Sequence, residues 1–247
     1  MKLFNLLIIG DEILSGKRKD CHLENMINLL SIRGFQLNQS LIIGDEPGLI
    51  ISSLRYLAND QSVVFCCGGI GATPDDYTRQ CAADAFLLKL VRHSEATRLI
   101  EEQFADGAYP KRILMADLPE NASLIPNPVN QVPGFSVGDC HFVPGFPQMA
   151  KPMMEWVLDS YYESMRPSEP NIEKSAWVFD QPESELIDLM NQILVKYPEV
   201  KLASLPKADE RHSRIDLAIK GKSKDVETAF AFLLASLDRE SIKYKIQ

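Results

Sequence analysis

Three glycines in four residues, Gly68-Gly69-Ile70-Gly71, stand just ahead of Thr73-Pro74-Asp75-Asp76 and Arg79. The residues before them, 63–67, are a short apolar run that reads as a buried strand. A helical pattern follows from Tyr77. A strand feeding a glycine turn feeding a helix N-terminus is suited to holding an anion. Glycines let backbone N–H groups approach a phosphate, and the helix end adds partial positive charge. The same residues also read as a helix cap, with Thr73 at N-cap, Pro74 at N1 and Asp76 at N3. No Gly-Lys-Ser/Thr follows, so the turn is neither a Walker A loop nor a GxGxxG fingerprint.

The elements that must position this turn recur with a clear rhythm. Leu3–Ile9 reads as a strand ending in the polar loop that carries Gly10, Asp11, Glu12, Ser15 and Gly16. Leu23, Met26, Ile27 and Leu30 have helical spacing before Gly34, which predicts a helix over 21–33. A strand over 35–43 ends in Gly44-Asp45-Glu46-Pro47, and another helix leads into the strand over 63–67. This β-α-β-α-β order predicts a mostly parallel sheet with helices on both faces, a three-layer α/β/α fold. Ligands of such sheets gather at the carboxyl ends of the strands. The loops at Gly10, Gly44 and Gly68 should therefore meet on one edge.

Helices are predicted over 76–90 and 94–104. The stretch 110–118 reads as a helical turn able to carry Lys111 and Arg112 across the site. Short extended pieces lie at 124–128 and 133–137, and a strand at 140–143 ends in Pro144-Gly145-Phe146-Pro147. A helix then runs to about Tyr162, with Met149, Met153, Trp156, Val157 and Leu158 on or near one face, a core-like pattern.

The linker-like MRPSEPN at 165–171 separates two domains, 1–166 and 171–247. The second has the order β-α-β-β-α-β, a small α+β ferredoxin-like domain. Its 207–214 loop reads as a solvated turn. This segment is nearly neutral, so most of the net charge of −8 falls on the first domain. An acidic chain of this kind is not a general nucleic-acid binder. No apolar stretch approaches a membrane span and no signal peptide is evident. Five cysteines without a CxxC, and four scattered histidines, point to reduced thiols in the cytoplasm rather than to disulfides or zinc.

The ordered set GDEILSGKRKD, GDEP, CCGGIGATPDDYTR, LPENA, NPVNQVPGF and VPGFP resembles the molybdopterin-binding domain superfamily (MoaB/Mog-like). Within it, the set is most similar to the CinA-type, competence/damage-inducible branch, over about 165 residues. The second domain resembles the small α/β domain that follows in CinA proteins. Those proteins often continue into a nicotinamide-nucleotide amidase domain, so that activity is not expected here. The resemblance implies a nucleotide- or pterin-sized phosphate ligand, molybdopterin among them, and a homo-oligomer, dimer or trimer. It implies metal-dependent hydrolysis of the pyrophosphate of a nucleotide such as ADP-ribose. The alternatives are a non-catalytic pterin or nucleotide binder and a molybdopterin adenylyltransferase.

Carried over by motif position, Gly68, Gly69 and Gly71 cradle phosphate, joined by Gly10, Ser15, Gly16, Thr73, Asp75, Arg79, Pro144 and Gly145. Asp45 and Asp76 take the catalytic positions, and Asp11, Asp20 and Asp76 the metal positions, for Mg²⁺, Mn²⁺ or Co²⁺. Divalent cations neutralise an anhydride under attack and acidify a water, and magnesium favours oxygen ligands. Either Asp45 or Asp76 could take the proton from that water. Arg79, Lys17 or Arg18 could offset developing charge, although Asp45 also reads as a helix cap and the basic residues as solvated. The sequence departs from the branch at three points. Cys67 stands where a threonine is usual, Asp20-Cys21-His22 replaces Asp-Thr-Asn, and Met149 stands in place of a glutamate. If that glutamate binds metal, its loss weakens the metal site more than the phosphate cradle.

Overall fold

The computed structural model describes residues 2–169, 171–208 and 213–247. The chain divides into two compact units, Met1–Arg166 and Pro167–Gln247. The first contains β1 (Leu3–Ile9), a four-residue α1 (Asp11–Leu14), α2 (His22–Ile32), β2 (Leu37–Ile43), α3 (Pro47–Leu57), β3 (Ser62–Cys67) and α4 (Thr78–Ala85). It continues with β4 (Leu90–Arg92), α5 (Ser94–Phe104), β5 (Asp117–Pro119), β6 (Ser123–Ile125), β7 (Gly134–Val137), β8 (Cys140–Val143) and α6 (Pro147–Tyr161).

Six strands form the main sheet in the order β2-β1-β3-β8-β7-β6. The first four are parallel, and β7 runs antiparallel to both of its neighbours, β8 and β6. Leu6 sits opposite Phe65, and Cys67 opposite Val143. β3 is buried at every residue because helices cover both faces, which removes the usual alternation with polar residues. The two-residue period still sorts its side chains. Val64 and Cys66 join Leu7, Leu54, Cys81 and Phe142 in one layer. Val63, Phe65 and Cys67 join Leu6, Met26, Met153 and Val157 in the other. This is the three-layer α/β/α arrangement expected from the β-α rhythm.

The structure differs from the sequence reading beyond Asp76. α4 starts at Thr78 with Tyr77 at its N-cap and stops at Ala85, short of the predicted end at Leu90, where the strand Leu90–Arg92 begins instead. Thr73 therefore caps no helix. Residues Arg112–Ala116 form a 3₁₀ helix that runs into β5. Arg112 lies over the Phe104 ring at 4.8 Å and donates to the Gly107 carbonyl at 2.7 Å, and neither it nor Lys111 lines the site.

The second unit contains β9 (Ile172–Phe179), α7 (Ile187–Lys196), β10 (Lys201–Ala208), β11 (Ser213–Gly221), α8 (Ser223–Arg239) and β12 (Tyr244–Ile246). Its antiparallel sheet has the order β10-β11-β9-β12, the ferredoxin-like arrangement. Ala176, Val178, Leu217, Ile219, Phe230 and Leu233 form its own core. The tip of the 207–214 turn, residues 209–212, lies outside the described residues. No helix among the described residues is long and apolar enough to cross a membrane.

A buried polar chain ties β7, β8 and α6 together. His141 Nδ1 is 2.8 Å from Ser136 Oγ and its Nε2 is 2.7 Å from Tyr162 Oη. The Tyr162 hydroxyl donates to Asp139 at 2.8 Å, and Lys2 pairs with Asp139 at 2.7 Å. Burial pushes the His141 imidazole down to about 4, with Asp139 opposing. The folded protein thus keeps His141 neutral where the unfolded chain would protonate it near 6.5. Stability from this histidine is complete above pH 6.5 and is lost as pH falls toward 4, by roughly 3 kcal/mol in all. Urea denaturation between pH 7 and 4.5 should show this slope, and His141→Asn should flatten it. Equal slopes in the two proteins would show that His141 does not set it.

Candidate functional site

Parallel pairing brings the carboxyl ends of β1, β2, β3 and β8 to one edge of the sheet. Their loops surround a cavity of about 600 Å³. Its polar lining comprises Gly10, Glu12, Arg18, Asp45, the Gly68–Thr73 turn, Asp75, Asp76, Asn127 and Asn130. Its apolar lining includes Phe104, Met115, Val132, Phe146 and Met149.

The turn is built by crowding. Gly68 has φ +112°, and a Cβ there would overlap the Ile9 carbonyl. Its N–H donates to the Val143 carbonyl at 3.1 Å. A Cβ on Gly145 would sit 3.4 Å from Gly68 Cα. Three strand ends therefore meet where only glycine fits.

The carbonyls of the turn are held away from the cavity. Gly68 O accepts from Thr78 Oγ1 at 2.9 Å, and Gly69 O from Thr78 N at 3.0 Å. Gly71 O accepts from Arg79 Nη2 at 2.8 Å. By contrast, the N–H groups of Gly69, Ile70, Gly71 and Ala72 donate to no acceptor among the described residues. Four successive free amides on a glycine turn are the donor set of an anion nest.

Thr73 and the two aspartates form a closed turn. Thr73 N donates to Asp76 Oδ2 at 2.8 Å, and Thr73 Oγ1 lies 2.5 Å from both Asp75 Oδ1 and Asp76 Oδ2. One hydroxyl proton serves only one of them at a time. The Thr73 hydroxyl holds the Asp75 carboxyl below its ordinary range. A Cβ on Gly71 would lie 2.5 Å from Asp76 Oδ2, so the carboxylate rests directly on the glycine turn.

Asp45 is clamped to the first loop. Its Oδ2 accepts from Asp11 N at 2.8 Å, while Asp11 Oδ1 accepts from Asp45 N at 3.3 Å. Burial raises the Asp45 carboxyl above its ordinary value. The bond from the Asp11 backbone opposes this, and the charges of Asp11, Glu12 and Asp75 add to it. Arg18 is 3.7 Å from Glu12 and lies over the Phe146 ring at 5.6 Å.

Of the residues singled out in the sequence, Gly10, Asp45, Gly68, Gly69, Gly71, Thr73, Asp75, Asp76, Pro144 and Gly145 line the cavity. Ser15, Gly16, Asp11, Asp20 and Arg79 do not. Asp11 is spent on the Asp45 clamp, and Ser15 follows the last residue of α1 as its C-cap. Asp20 caps α2, accepting from His22 N at 2.9 Å and Leu23 N at 3.1 Å. Arg79 sits behind the turn, largely buried, and its Nη1 reaches the carbonyls of Leu114 and of Asp117, the latter at 3.0 Å. It therefore braces the turn and does not face a ligand.

The expected metal set of Asp11, Asp20 and Asp76 is not assembled. Among the described residues no three His, Cys, Asp or Glu side chains are grouped to hold a metal ion. Met149 lines the cavity as a thioether, a poor ligand for a hard cation. The described side chains do not fit a resident ion.

Glu12, Phe104, Met115, Asn127, Asn130, Val132 and Phe146 were not singled out in the sequence, yet they complete the wall. The only available signal for the two asparagines was their place in NPVNQVPGF.

Residues 5–163 match the family described as "Probable molybdopterin binding domain". The chain belongs to this family. It is similar to proteins of the CinA type. It is 30% identical over 197 residues to a CinA-like protein of Syntrophotalea carbinolica, covering 76% of this chain and 47% of that one. The chain thus spans about half the length of that relative. It is 26% identical over 250 residues to protein PAE0875 of Pyrobaculum aerophilum, covering 97% and 94% of the two chains. Among solved structures, CinA of Thermoplasma acidophilum superimposes with a TM-score of 0.59 and 26% identity, over 64% of this chain and 98% of that one.

Arg79→Met should destabilise the first unit by about 2 kcal/mol, because three carbonyls lose a shared donor. Arg79→Lys should recover little, since one ammonium cannot replace the planar fork. Urea denaturation measures both. A loss under 0.5 kcal/mol for Arg79→Met would show that the brace is dispensable.

Proposed function

We propose that the cavity binds a phosphate-bearing heterocycle, a nucleotide or a molybdopterin-type pterin. The observation that carries this reading is the run of four free amides, from Gly69 to Ala72, beside a mostly apolar wall. The amides suit a phosphate and the wall suits a flat ring. Family membership supports the pterin alternative. Four carboxylates line the same cavity against one arginine, so the anionic ligand enters as its magnesium complex.

Hydrolysis of a pyrophosphate bond, as in ADP-ribose, is a second reading, favoured by Asp45. It lines the cavity with a raised carboxyl pKa, the direction that suits a general base. The magnesium nucleotide is then the substrate. Asp45 would take a proton from a water attacking phosphorus, and the turn amides would hold the phosphate that does not react.

The four buried cysteines and the exposed Cys21 are all free, which supports a reducing, cytoplasmic setting.

Calorimetry with ADP-ribose, FAD and a pterin phosphate, each with Mg²⁺, tests binding. At least one should bind, and Gly71→Ala should weaken it tenfold or more without lowering the melting temperature comparably. Failure of all three to bind would refute the proposal. If hydrolysis occurs, AMP release should disappear in Asp45→Asn. Its rate should fall as pH drops through the raised Asp45 value, because a base works only when ionised.

A further inference from the structure

We infer that His22 is a positioning residue of this cavity, which draws the Gly145 carbonyl back from the ligand and holds Gly145 against the glycine turn. The inference rests on the proposed binding of a phosphate-bearing ligand. His22 opens α2 and is not itself part of the cavity lining.

Its one hydrogen bond fixes the state of the ring. His22 Nε2 lies 3.3 Å from the Gly145 carbonyl oxygen. A carbonyl only accepts, so Nε2 carries the proton and donates. The other nitrogen, Nδ1, has no partner among the described residues. The residue is only 3% exposed, and a second proton on Nδ1 would be a buried donor with nothing to meet. The ring is therefore neutral, with its single proton directed at Gly145. Turning the ring over would set a C–H against the carbonyl and leave both nitrogens unpaired.

The backbone is held on both sides of this bond. Asp20 accepts from His22 N at 2.9 Å and from Leu23 N at 3.1 Å, which seats the histidine at the start of α2. Asp20, expected at a metal, thus acts on the cavity through His22. On the other side, a Cβ on Gly145 would sit 3.4 Å from Gly68 Cα, and Gly68 N donates to the Val143 carbonyl at 3.1 Å. Contacts therefore run without a break from the loop after β1, through His22 and Gly145, to the residue where the amide turn begins.

Peptide geometry supplies the consequence. The C=O and N–H of a trans peptide point in opposite directions. The Gly145 carbonyl is drawn to the buried ring, so the Phe146 N–H in the same plane points away from it. That N–H has no acceptor among the described residues. Gly145 and Phe146 both line the cavity, whereas His22 lies behind them. Thr78 and Arg79 withdraw the carbonyls of the glycine turn in the same way. His22 extends this arrangement to the loop after β8. A carbonyl released there would bring partial negative charge toward an anionic ligand.

His22→Leu and His22→Gln test the role. Leucine fills space without a donor, and glutamine offers an N–H at about the reach of Nε2. Calorimetry with ADP-ribose, FAD and a pterin phosphate, each with Mg²⁺, would compare both variants with the native protein. For each probe that the native protein binds, His22→Leu should weaken binding about tenfold, and His22→Gln should keep it within about threefold. Melting temperatures are the control, because a role in folding alone would make affinity follow them, with no rescue by glutamine. Nitrogen-15 NMR of the native protein should show a neutral His22 with its proton on Nε2. This measurement needs no variant and stands even if His22→Leu does not fold. A proton on Nδ1 overturns this inference alone, as does native affinity in His22→Leu or equal weakening in the two variants. Binding of none of the three probes by the native protein overturns it together with the reading beneath it.

Discussion

The site depends on the absence of a side chain at Gly68. β1, β3 and β8 are adjacent parallel strands, and their ends turn into loops at the same height. A single methyl group at Gly68 would overlap the Ile9 carbonyl, and Gly145 packs against Gly68 from the other strand. Once the chain takes φ +112° there, the following peptides are thrown over the sheet edge. Thr78 and Arg79, in the first turn of α4, then capture the carbonyls of Gly68, Gly69 and Gly71. Every carbonyl so captured faces away from the cavity. The free amides are therefore a product of sheet packing on one side and helix hydrogen bonding on the other.

Most of this scaffold could be read from the residues. The β-α rhythm, the apolar run of β3 and the glycine-acidic loops place three loops, at Gly10, Gly44 and Gly68, on one edge by a rule of parallel sheets. What could not be read was where each polar group spends its hydrogen bonds. Asp20 and Asp45 look equivalent in the sequence, each an aspartate beside a helix. Asp20 uses both oxygens on the amides of α2, while Asp45 keeps its place in the cavity wall. Arg79 lies three residues from Asp76 and was a candidate to meet a phosphate. Instead it is drawn back toward Leu114 and Asp117, more than 30 residues away in the chain.

The start of α4 shows the same limit. Thr73, Pro74 and Asp76 satisfy the local rules for a capping box, and the predicted bond from Asp76 to the Thr73 amide is present. The helix begins only at Thr78 because Thr78 N is already committed to Gly69 O. A local motif formed, and a longer-range hydrogen bond decided what it was used for. The Asn127–Asn130 turn could not be read for the opposite reason. Nothing in NPVNQVPGF shows that Val129 N and Val132 N donate to the two asparagine side chains and so hold them in place.

Charge gives the last constraint on the ligand. Glu12, Asp45, Asp75 and Asp76 line a cavity in which Arg18 is the one lining cation among the described residues, and Arg18 is partly engaged with Glu12. The raised carboxyl of Asp45 reflects this, since burial and like charges both resist its ionisation. A bare pyrophosphate would add negative charge to that cluster, and four amides supply only partial positive charge in return. Among the described residues no three donors are grouped for a resident ion, so in the proposed reading the neutralising cation arrives coordinated to the phosphates themselves. Magnesium keeps several non-protein ligands and binds through one or two carboxylates plus phosphate oxygens. In that reading the acidic rim complements a metal–phosphate complex, although it repels the phosphate alone, and the free amides and the carboxylates are two halves of one recognition surface.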